Sequence, residues 1–441
     1  MKKAVLQFVL IVLLSIYVSG LSLQEARMIG IENNRDLKIK ELAYDSAQWS
    51  YYESLSKIFP KLSVSGTYTE YDPDRTLFSG SIFQNSAESY GLTLTQPVFS
   101  GGALYYGSRI QKSFLNLTRY DLKKQRIATI ADIEQKYLTV LENKELLEAA
   151  RKDLELTRLS FETAEIKFNL GTISKAEYLN VKSQAASKEV TVISRENQFK
   201  ISKLALANYL QINEAFEVQS VPFESYENYI NLFRDISPEA QARILDKLLS
   251  HGLENNPTIK MTEISSYINK MNVNIARSSL FPSANLSYSR RWDKADYEPE
   301  FTDQGVTMLT VSFPIFSITS NLSKINRAKN TLTESRLNEE NIRESTQLQI
   351  KQQFYNMLTS ARSVHSARLA LEFAQETYEQ TDIRYQSNMS STKDLLDAEL
   401  LLINTRNQYI ISFYNFLRAK SLLLQLLGEE EESFLFEFFN D

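Results

Sequence analysis

The sequence predicts a mainly α-helical protein with a small β part, built from two tandem structural repeats. Very long helices are indicated first, because proline is absent from residues 98–221 and 315–441 and glycine is absent from 108–170 and 306–427. Proline breaks helices and glycine destabilises their interiors, so such stretches permit uninterrupted helices. A helix over 108–170 would be roughly 95 Å long at 1.5 Å per residue. Recurring motifs and alternating segments supply the other two observations.

Short motifs recur in the same order along the chain, which indicates duplication. The recurring pairs are 30–39 (GIENNRDLKI) with 252–261 (GLENNPTIKM), Phe59-Pro60 with Phe281-Pro282, and 96–100 (QPVFS) with 313–317 (FPIFS). We therefore predict one repeat over residues 21–212 and a second over 240–428. A linker at 213–239 joins them, and a tail at 429–441 follows.

Each repeat is expected to contain one helical stretch, at 22–58 and 238–280, then a β-hairpin and two long helices. The strands are predicted at about 61–71, 88–98, 283–292 and 304–313. Polarity alternates along them with period two, as where Leu62 and Val64 flank Ser63. The pattern fits strands that cross a bilayer with lipid on one side, and it fits a soluble sheet with one wet face equally well.

The long helices carry an apolar residue at every seventh position, which is typical of a coiled-coil seam. The seam residues are Ile133, Val140, Leu147, Leu154, Phe161 and Phe168 in the first repeat, and Ile350, Met357, Val364, Leu371, Tyr378 and Tyr385 in the second. Small side chains follow three residues later, as at Ala150 and Ala367, where neighbouring helices can approach closely. We expect long antiparallel coiled coils.

The turns between the long helices are predicted at Gly171 and Asn388. Glycine and asparagine are the residues that most readily adopt the left-handed conformation that ends a helix. Capping boxes beginning at Ser174 and Ser391 then start the next helices, with an acidic residue three positions later. Each repeat is therefore predicted to turn between its two long helices at a helix tip.

The N-terminus has the pattern of a secretory signal peptide over residues 1–20. Lys2 and Lys3 precede an apolar run at 4–18, and Ser19 and Gly20 follow. A membrane anchor is the alternative, but the run is shorter than the roughly 20 residues of a spanning helix. We therefore expect an exported chain.

Composition argues against several functional classes. The chain has no cysteine and only two histidines, and its net charge is -5 from interspersed charges. These features predict no catalytic residues, no cofactor, no metal site and no nucleic-acid partner, because no phosphate loop, zinc spacing or basic patch is visible. We therefore expect a protein that is not an enzyme.

Together these motifs resemble the TolC-like outer-membrane efflux proteins over nearly the whole chain. The resemblance is carried by the duplicated Glu-Asn-Asn segments, the Phe-Pro pairs, the run at 96–102 (QPVFSGG), and the runs at 384–388 (RYQSN) and 394–398 (DLLDA). By this resemblance, the turns between barrel and helices are Pro97, Gly101, Gly102 and Pro314.

The resemblance implies a homotrimer in the outer membrane, with most of each chain in the periplasm. Each chain would contribute four strands to a 12-stranded transmembrane β-barrel in contact with outer-membrane lipid. The helices would form a long α-helical barrel. A periplasmic adaptor (membrane fusion) protein and an inner-membrane pump would load this duct with small molecules or proteins. The duct would open by iris-like dilation of its helix tips.

The same resemblance assigns roles at the tips. Asp394 and Asp397 match aspartates that ring the periplasmic gate, where repulsion among six carboxylates is expected to raise some of their pKa values. Glu177 and Tyr385 match a gate bond. The family's other gate bond is expected to be missing, because Ser390 and Ala176 stand at its two positions.

Two other interpretations remain open from the sequence. Asp394 and Glu177 sit in the first turn of a helix, where an acid commonly serves only as a cap. The whole chain also fits an exported, soluble coiled-coil scaffold of the periplasm, with the sheet as an end cap.

Overall fold

The computed structural model describes residues 20–71, 86–295, 299–315, 318–431 and 434–435. The signal peptide predicted at 1–20 lies outside these residues except for Gly20, and so does most of the tail at 429–441. The described residues are mostly helical with a small strand part, which confirms the coarse fold class. None of the helices in the described ranges is both long enough and apolar enough to cross a bilayer.

The order helix, helix, strand, strand, helix, helix occurs twice. The first set is α1 (Leu23–Asn33), α2 (Arg35–Ser56), β1 (Lys61–Glu70), β2 (Ser86–Ser100), α3 (Ala103–Asn169) and α4 (Lys175–Leu210). After α5 (Glu224–Arg234), the second set is α6 (Pro238–Asn255), α7 (Pro257–Ser278), β3 (Ser283–Ala295), β4 (Thr302–Ser312), α8 (Ile318–Gln386) and α9 (Thr392–Leu427).

The helical stretch that opens each set is two helices, where the sequence pattern suggested one. Asn34 has extended backbone after α1, and its side-chain Oδ1 accepts a hydrogen bond of 2.8 Å from the Leu37 N–H. This bond caps the start of α2. In the second set Pro257 begins α7, a position where its missing N–H costs no helix hydrogen bond.

The chain forms two compact units. The first comprises residues 1–39, 123–257 and 343–441, and the second comprises 40–122 and 258–342. The long helices α3 and α8 therefore contribute to both.

The core of the first unit is built on the seam of α3 and α8. Ile133, Val140, Ile350 and Val364 are fully buried in one cluster with residues of α1, α4, α6 and α9. Towards the tip of the first repeat the seam is less covered, and Phe168 is only half-buried. At the second tip Tyr385 is buried. The main apolar cluster of the first unit is centred on the other end of the seam, around Ile133 and Ile350.

Two glycines allow the short helices to lie directly on this seam. A Cβ atom on Gly30 would overlap the Ile133 side chain and lie 2.9 Å from Cδ2 of Leu210. A Cβ atom on Gly252 would lie 2.5 Å from Cδ1 of Ile350. Real Cβ atoms do not approach other carbons this closely, so an added methyl group at either position would force the buried Ile133 or Ile350 side chain to move.

The linker after α4 is tied to the start of the described chain. Leu21 and Val218 form a parallel β-bridge. The Tyr137 hydroxyl lies 2.8 Å from the carbonyl oxygens of both Leu21 and Gln219. Burial raises the pKa of Tyr137, so this phenol stays protonated and can donate its one proton to either carbonyl at any physiological pH.

The second unit contains a four-stranded antiparallel sheet in the order β1-β2-β3-β4. Directly paired residues share a face of the sheet. One face is apolar, since Val64 pairs with Leu92 and Leu286 pairs with Leu309. The other face is small and hydroxylic, with Ser63 opposite Thr93 and Thr95 opposite Ser287. The apolar face is uncovered in the single chain, where 79% of Val64 is exposed.

The passage from β2 into α3 requires glycine. Gly101 and Gly102 have φ of +61° and +89°, in the left-handed region. A Cβ atom on Gly101 would also overlap the carbonyl oxygen of Ser278 and lie 3.1 Å from Cβ of Phe281. The chain therefore turns here against the end of α7.

The two prolines assigned to these turns occupy different places. Pro97 lies within β2, at an irregularity in the pairing with β3 between Pro97 and Phe99. Proline has no N–H for the ladder, and a bulge lets the strand continue past it to Ser100. Pro314 follows the end of β4. Phe316 and Ser317 of the same motif lie outside the described residues.

We predict that Gly30→Ala lowers the thermal stability of the purified protein in detergent. Overpacking a tight core costs about 1–3 kcal/mol, which exceeds the roughly 1 kcal/mol that alanine gains over glycine in a helix. Gly107→Ala in α3 is the matched control, because no atom lies within 4 Å of its added Cβ. The control should melt at the wild-type temperature or higher. Equal melting of both variants would contradict the close approach.

Candidate functional site

The tip between α3 and α4 is closed by backbone hydrogen bonds around Gly171. Gly171 has φ of +73° and donates its N–H to the carbonyl of Phe168 at 2.9 Å. The N–H of Thr172 reaches the carbonyl of Lys167 at 2.9 Å. These bonds satisfy carbonyls that the end of α3 would leave unpaired.

The tip between α8 and α9 repeats this geometry with asparagine. Asn388 has φ of +57°, and its N–H donates to the carbonyl of Tyr385 at 3.1 Å. The N–H of Met389 donates to the carbonyl of Arg384 at 2.7 Å. Asparagine thus replaces glycine at a position that most residues reach only with strain.

Asp394 is held in a capping box. Its Oδ2 accepts hydrogen bonds from the Ser391 N–H at 2.9 Å, the Ser391 hydroxyl at 2.7 Å and the Ser390 hydroxyl at 3.2 Å. These bonds, together with the nearby Lys393, hold the pKa of Asp394 below its ordinary value. Asp397 lies one turn further along α9 and is exposed. Both carboxylates are therefore available at the surface of the tip.

Glu177 and Tyr385 make separate hydrogen bonds within the chain. Glu177 accepts from the Ser174 N–H at 2.8 Å, and bonding to Ser174 lowers the pKa of this carboxyl. Tyr385 is 2% exposed, and its hydroxyl lies 3.5 Å from that of Thr392. Both residues sit at the tips, one on α4 and one on α8.

Lys167 connects the two tips, a role that the sequence pattern did not indicate. Its Nζ donates to the Tyr385 carbonyl and, at 2.8 Å, to Oδ1 of Asn388. The same ammonium lies 3.9 Å from the centroid of the Tyr385 ring, within range of a cation–π interaction. Desolvation lowers the pKa of Lys167. A lysine in the last turn of a helix predicts only an interaction with its own helix end.

A polar cluster is buried between α3 and α9, above the tips. Asp153 of α3 forms an ion pair with Arg406 of α9. Glu399 of α9 contacts the hydroxyl of Thr157 of α3. Both carboxylates are less than 5% exposed. No sequence pattern indicates this cluster, because a single glutamate in a helix is usually solvated.

The family model for outer membrane efflux proteins matches the chain twice, over residues 30–210 and 248–429. The chain is 20% identical to outer membrane protein TolC of Salmonella enteritidis over 419 residues, which cover 93% of this chain and 81% of that protein. It is 23% identical to the pyoverdine export outer membrane protein OpmQ of Pseudomonas aeruginosa over 352 residues, 77% of this chain and 69% of the relative.

Solved structures share the fold. A crystal structure of CusC superposes with a TM-score of 0.81 at 19% identity and covers 92% of both chains. The open state of the MtrE outer membrane channel of Neisseria gonorrhoeae gives a TM-score of 0.72 at 16% identity, over 92% of this chain and 89% of that one. The family model covers most of the chain in these two matches, and the chain belongs to the outer membrane efflux protein family.

Proposed function

We propose that this chain is one subunit of a homotrimeric outer-membrane exit duct. The duct exports small molecules or proteins when a periplasmic adaptor and an inner-membrane pump load it. The two matched segments are taken as tandem repeats that contribute equivalent parts of the barrel and of the tunnel. The observation that carries the proposal is the four-stranded sheet, with its apolar face and its two open edges.

The sheet is suited to a shared barrel and not to a closed one of its own. Within the part of the chain that the structure describes, its apolar face is uncovered, and β1 and β4 are open edges. Lipid does not tolerate open edges, because their backbone groups would lack hydrogen bonds. Membrane barrels begin at about eight strands, so four strands need partners from other chains. Three chains would give the twelve strands that the family resemblance implies.

The long helices suit the walls of a tunnel. Their seams are fully buried near Ile133 and Ile350 but half-buried near Phe168, which leaves apolar surface for neighbouring helices near the tips. Twelve such helices from three chains would surround a periplasmic passage. Iris-like separation of the tips would open it.

The gate is assigned to Asp394 and Asp397, with Glu177 and Tyr385 as a bond between neighbouring coiled coils. Three copies of the two aspartates would place six carboxylates around one axis. Such a ring favours cations in the pore. In the ring, mutual repulsion would oppose the hydrogen bonds that lower the pKa of Asp394 in the single chain.

We predict a small, cation-selective single-channel conductance in planar lipid bilayers. An Asp394→Ala, Asp397→Ala variant should lose most of this selectivity, because the ring of negative charge is removed. Ser391→Ala is the control, since it removes the two capping hydrogen bonds made by the Ser391 hydroxyl and keeps both charges. The control should remain cation-selective. If cation selectivity survives the double substitution, the two aspartates do not form the gate and serve only at the start of α9.

We also predict that Lys167→Met raises the frequency of opening about tenfold. The substitution removes both hydrogen bonds of the Lys167 ammonium, and a net loss of roughly 1.5 kcal/mol in the closed state corresponds to this tenfold change. Lys175→Met removes the same charge at the neighbouring start of α4 and is the matched control. The readout is open probability in the bilayer. An equal effect of both substitutions would show that charge alone, and not the link to Tyr385 and Asn388, sets the closed state.

A soluble periplasmic scaffold is the second candidate, since the coiled coils alone would serve that role. Membrane fractionation separates the two. The duct should remain with the outer membrane after high-salt washing, because its apolar sheet face lies in lipid. Release of the folded protein with the periplasmic fraction would favour the scaffold.

A further inference from the structure

Glu399 is a buried carboxyl group that neither the barrel nor the gate uses. It lies on α9, seven residues after Thr392 begins the helix, and it is 3% exposed. Glutamate is almost never buried in this way without a charged partner or a functional reason. In the described residues the one ion pair beside it, between Asp153 and Arg406, leaves Glu399 outside.

The hydrogen bonds of Thr157 indicate where the proton of this group lies. The Thr157 hydroxyl is 2.9 Å from the carbonyl oxygen of Asp153 and also contacts Oε1 of Glu399. A hydroxyl has one proton and can donate only once. Both contacts are hydrogen bonds only if the carboxyl of Glu399 supplies the second proton.

The second carboxyl oxygen of Glu399 also indicates that the group is protonated. Oε2 of Glu399 is buried and has no hydrogen-bond partner within the described residues. An ionised carboxylate with an unsolvated oxygen is strongly disfavoured inside a protein, and such groups take up a proton instead. In a protonated carboxyl, an oxygen without a hydrogen bond costs much less free energy than it does in an ionised carboxylate.

The charged and titratable groups that face Glu399 come from four helices. They are Asp153 on α3, Lys188 on α4, Tyr378 on α8 and Arg406 on α9. The charge of Arg406 is offset by Asp153, and Lys188 is partly solvated. Burial is the largest influence and raises the pKa of Glu399, as does the charge of Asp153, while the hydroxyls of Thr157 and Ser160 and the charge of Lys188 act against it.

We propose that Glu399 is a proton-binding site, whose carboxyl is protonated while α3 and α9 are packed together and ionised when they separate. The site lies two turns from the tip, so opening of the tip would separate α3 and α9 around it. Separation exposes the carboxyl to water, and its proton is then released. The proton site stands on the helix interface alone. Its coupling to opening of the duct rests on the proposed function.

The sign of the pH dependence follows from the raised pKa. Between the ordinary pKa of glutamate and the raised pKa of the packed state, the packed state binds up to one proton more than the separated state. Rising pH therefore favours separation, and acid favours packing. The separated fraction rises up to tenfold per pH unit until the packed pKa is reached, because one unit of pKa is a tenfold change in equilibrium.

The first measurement is infrared spectroscopy of the detergent-purified protein across pH 4 to 9. The difference spectrum between wild type and Glu399→Gln should contain a protonated-carboxyl C=O band well above the ordinary pH range of glutamate. Glu155→Gln, at an exposed glutamate on α3, is the control and should keep the band. A band absent from wild type at pH 6, or retained in Glu399→Gln, would overturn the proton site.

A second variant keeps the test decisive if Glu399→Gln fails to assemble. Asp153→Asn removes the partner of Arg406, whose freed positive charge should stabilise ionised Glu399 and move the band's midpoint to lower pH. An unchanged midpoint would contradict the assignment. Loss of the band in Asp153→Asn but not in Glu399→Gln would move the proton to Asp153.

Bilayer recording then tests the coupling. Open probability of the wild type should rise with pH, and Glu399→Gln should lose most of this dependence. Equal pH dependence in the two proteins would refute the coupling while leaving the infrared result intact. No current at any pH would instead refute the proposed function, and the infrared measurement would still decide the proton site.

Discussion

The first unit depends on the close approach of two short helices to the seam of two very long ones. Gly30 lies on Ile133, and Gly252 lies on Ile350, at the first buried position of each heptad series. Helices of 67 and 69 residues cannot be stabilised by propensity alone and need a packed apolar face. The two glycines let α1 and α6 pack directly on the long helices, and this contact buries the apolar seam. The linker and the ends of α4 and α9 join the same cluster.

Away from this cluster the helices are less completely covered, and their polar groups decide the structure. The acids of this region occupy two environments with opposite effects. Asp394 is exposed and accepts several hydrogen bonds, which lower its pKa. Glu399, five residues later, is buried, which raises its pKa. Helix α9 therefore carries one acid whose ionised form is favoured and one whose protonated form is favoured. The difference arises because Glu399 is buried against α3 and Asp394 is exposed.

The sequence allowed the local features of this fold to be predicted, because their causes are local. Proline-free stretches predicted the long helices, and alternating polarity predicted the strands. Gly171 and Asn388 have left-handed backbone, as their residue types suggest. Contacts between distant segments could not be predicted. Lys167 reaches Tyr385, and Thr157 meets Glu399, only because particular helices are neighbours. The breaks at Asn34 and Pro257 were missed because the apolar pattern continues through them.

The open edges of the sheet have a consequence for biogenesis. A single chain presents β1 and β4 with unpaired backbone groups, beside an apolar face that water does not favour. On the proposed function, these strands enter lipid only when three chains close the barrel, so membrane insertion and subunit association form one event. The yield of finished ducts then falls more than in proportion when the supply of exported chains falls. On the same function, the edges of an unassembled chain would be open to pairing with other strand edges.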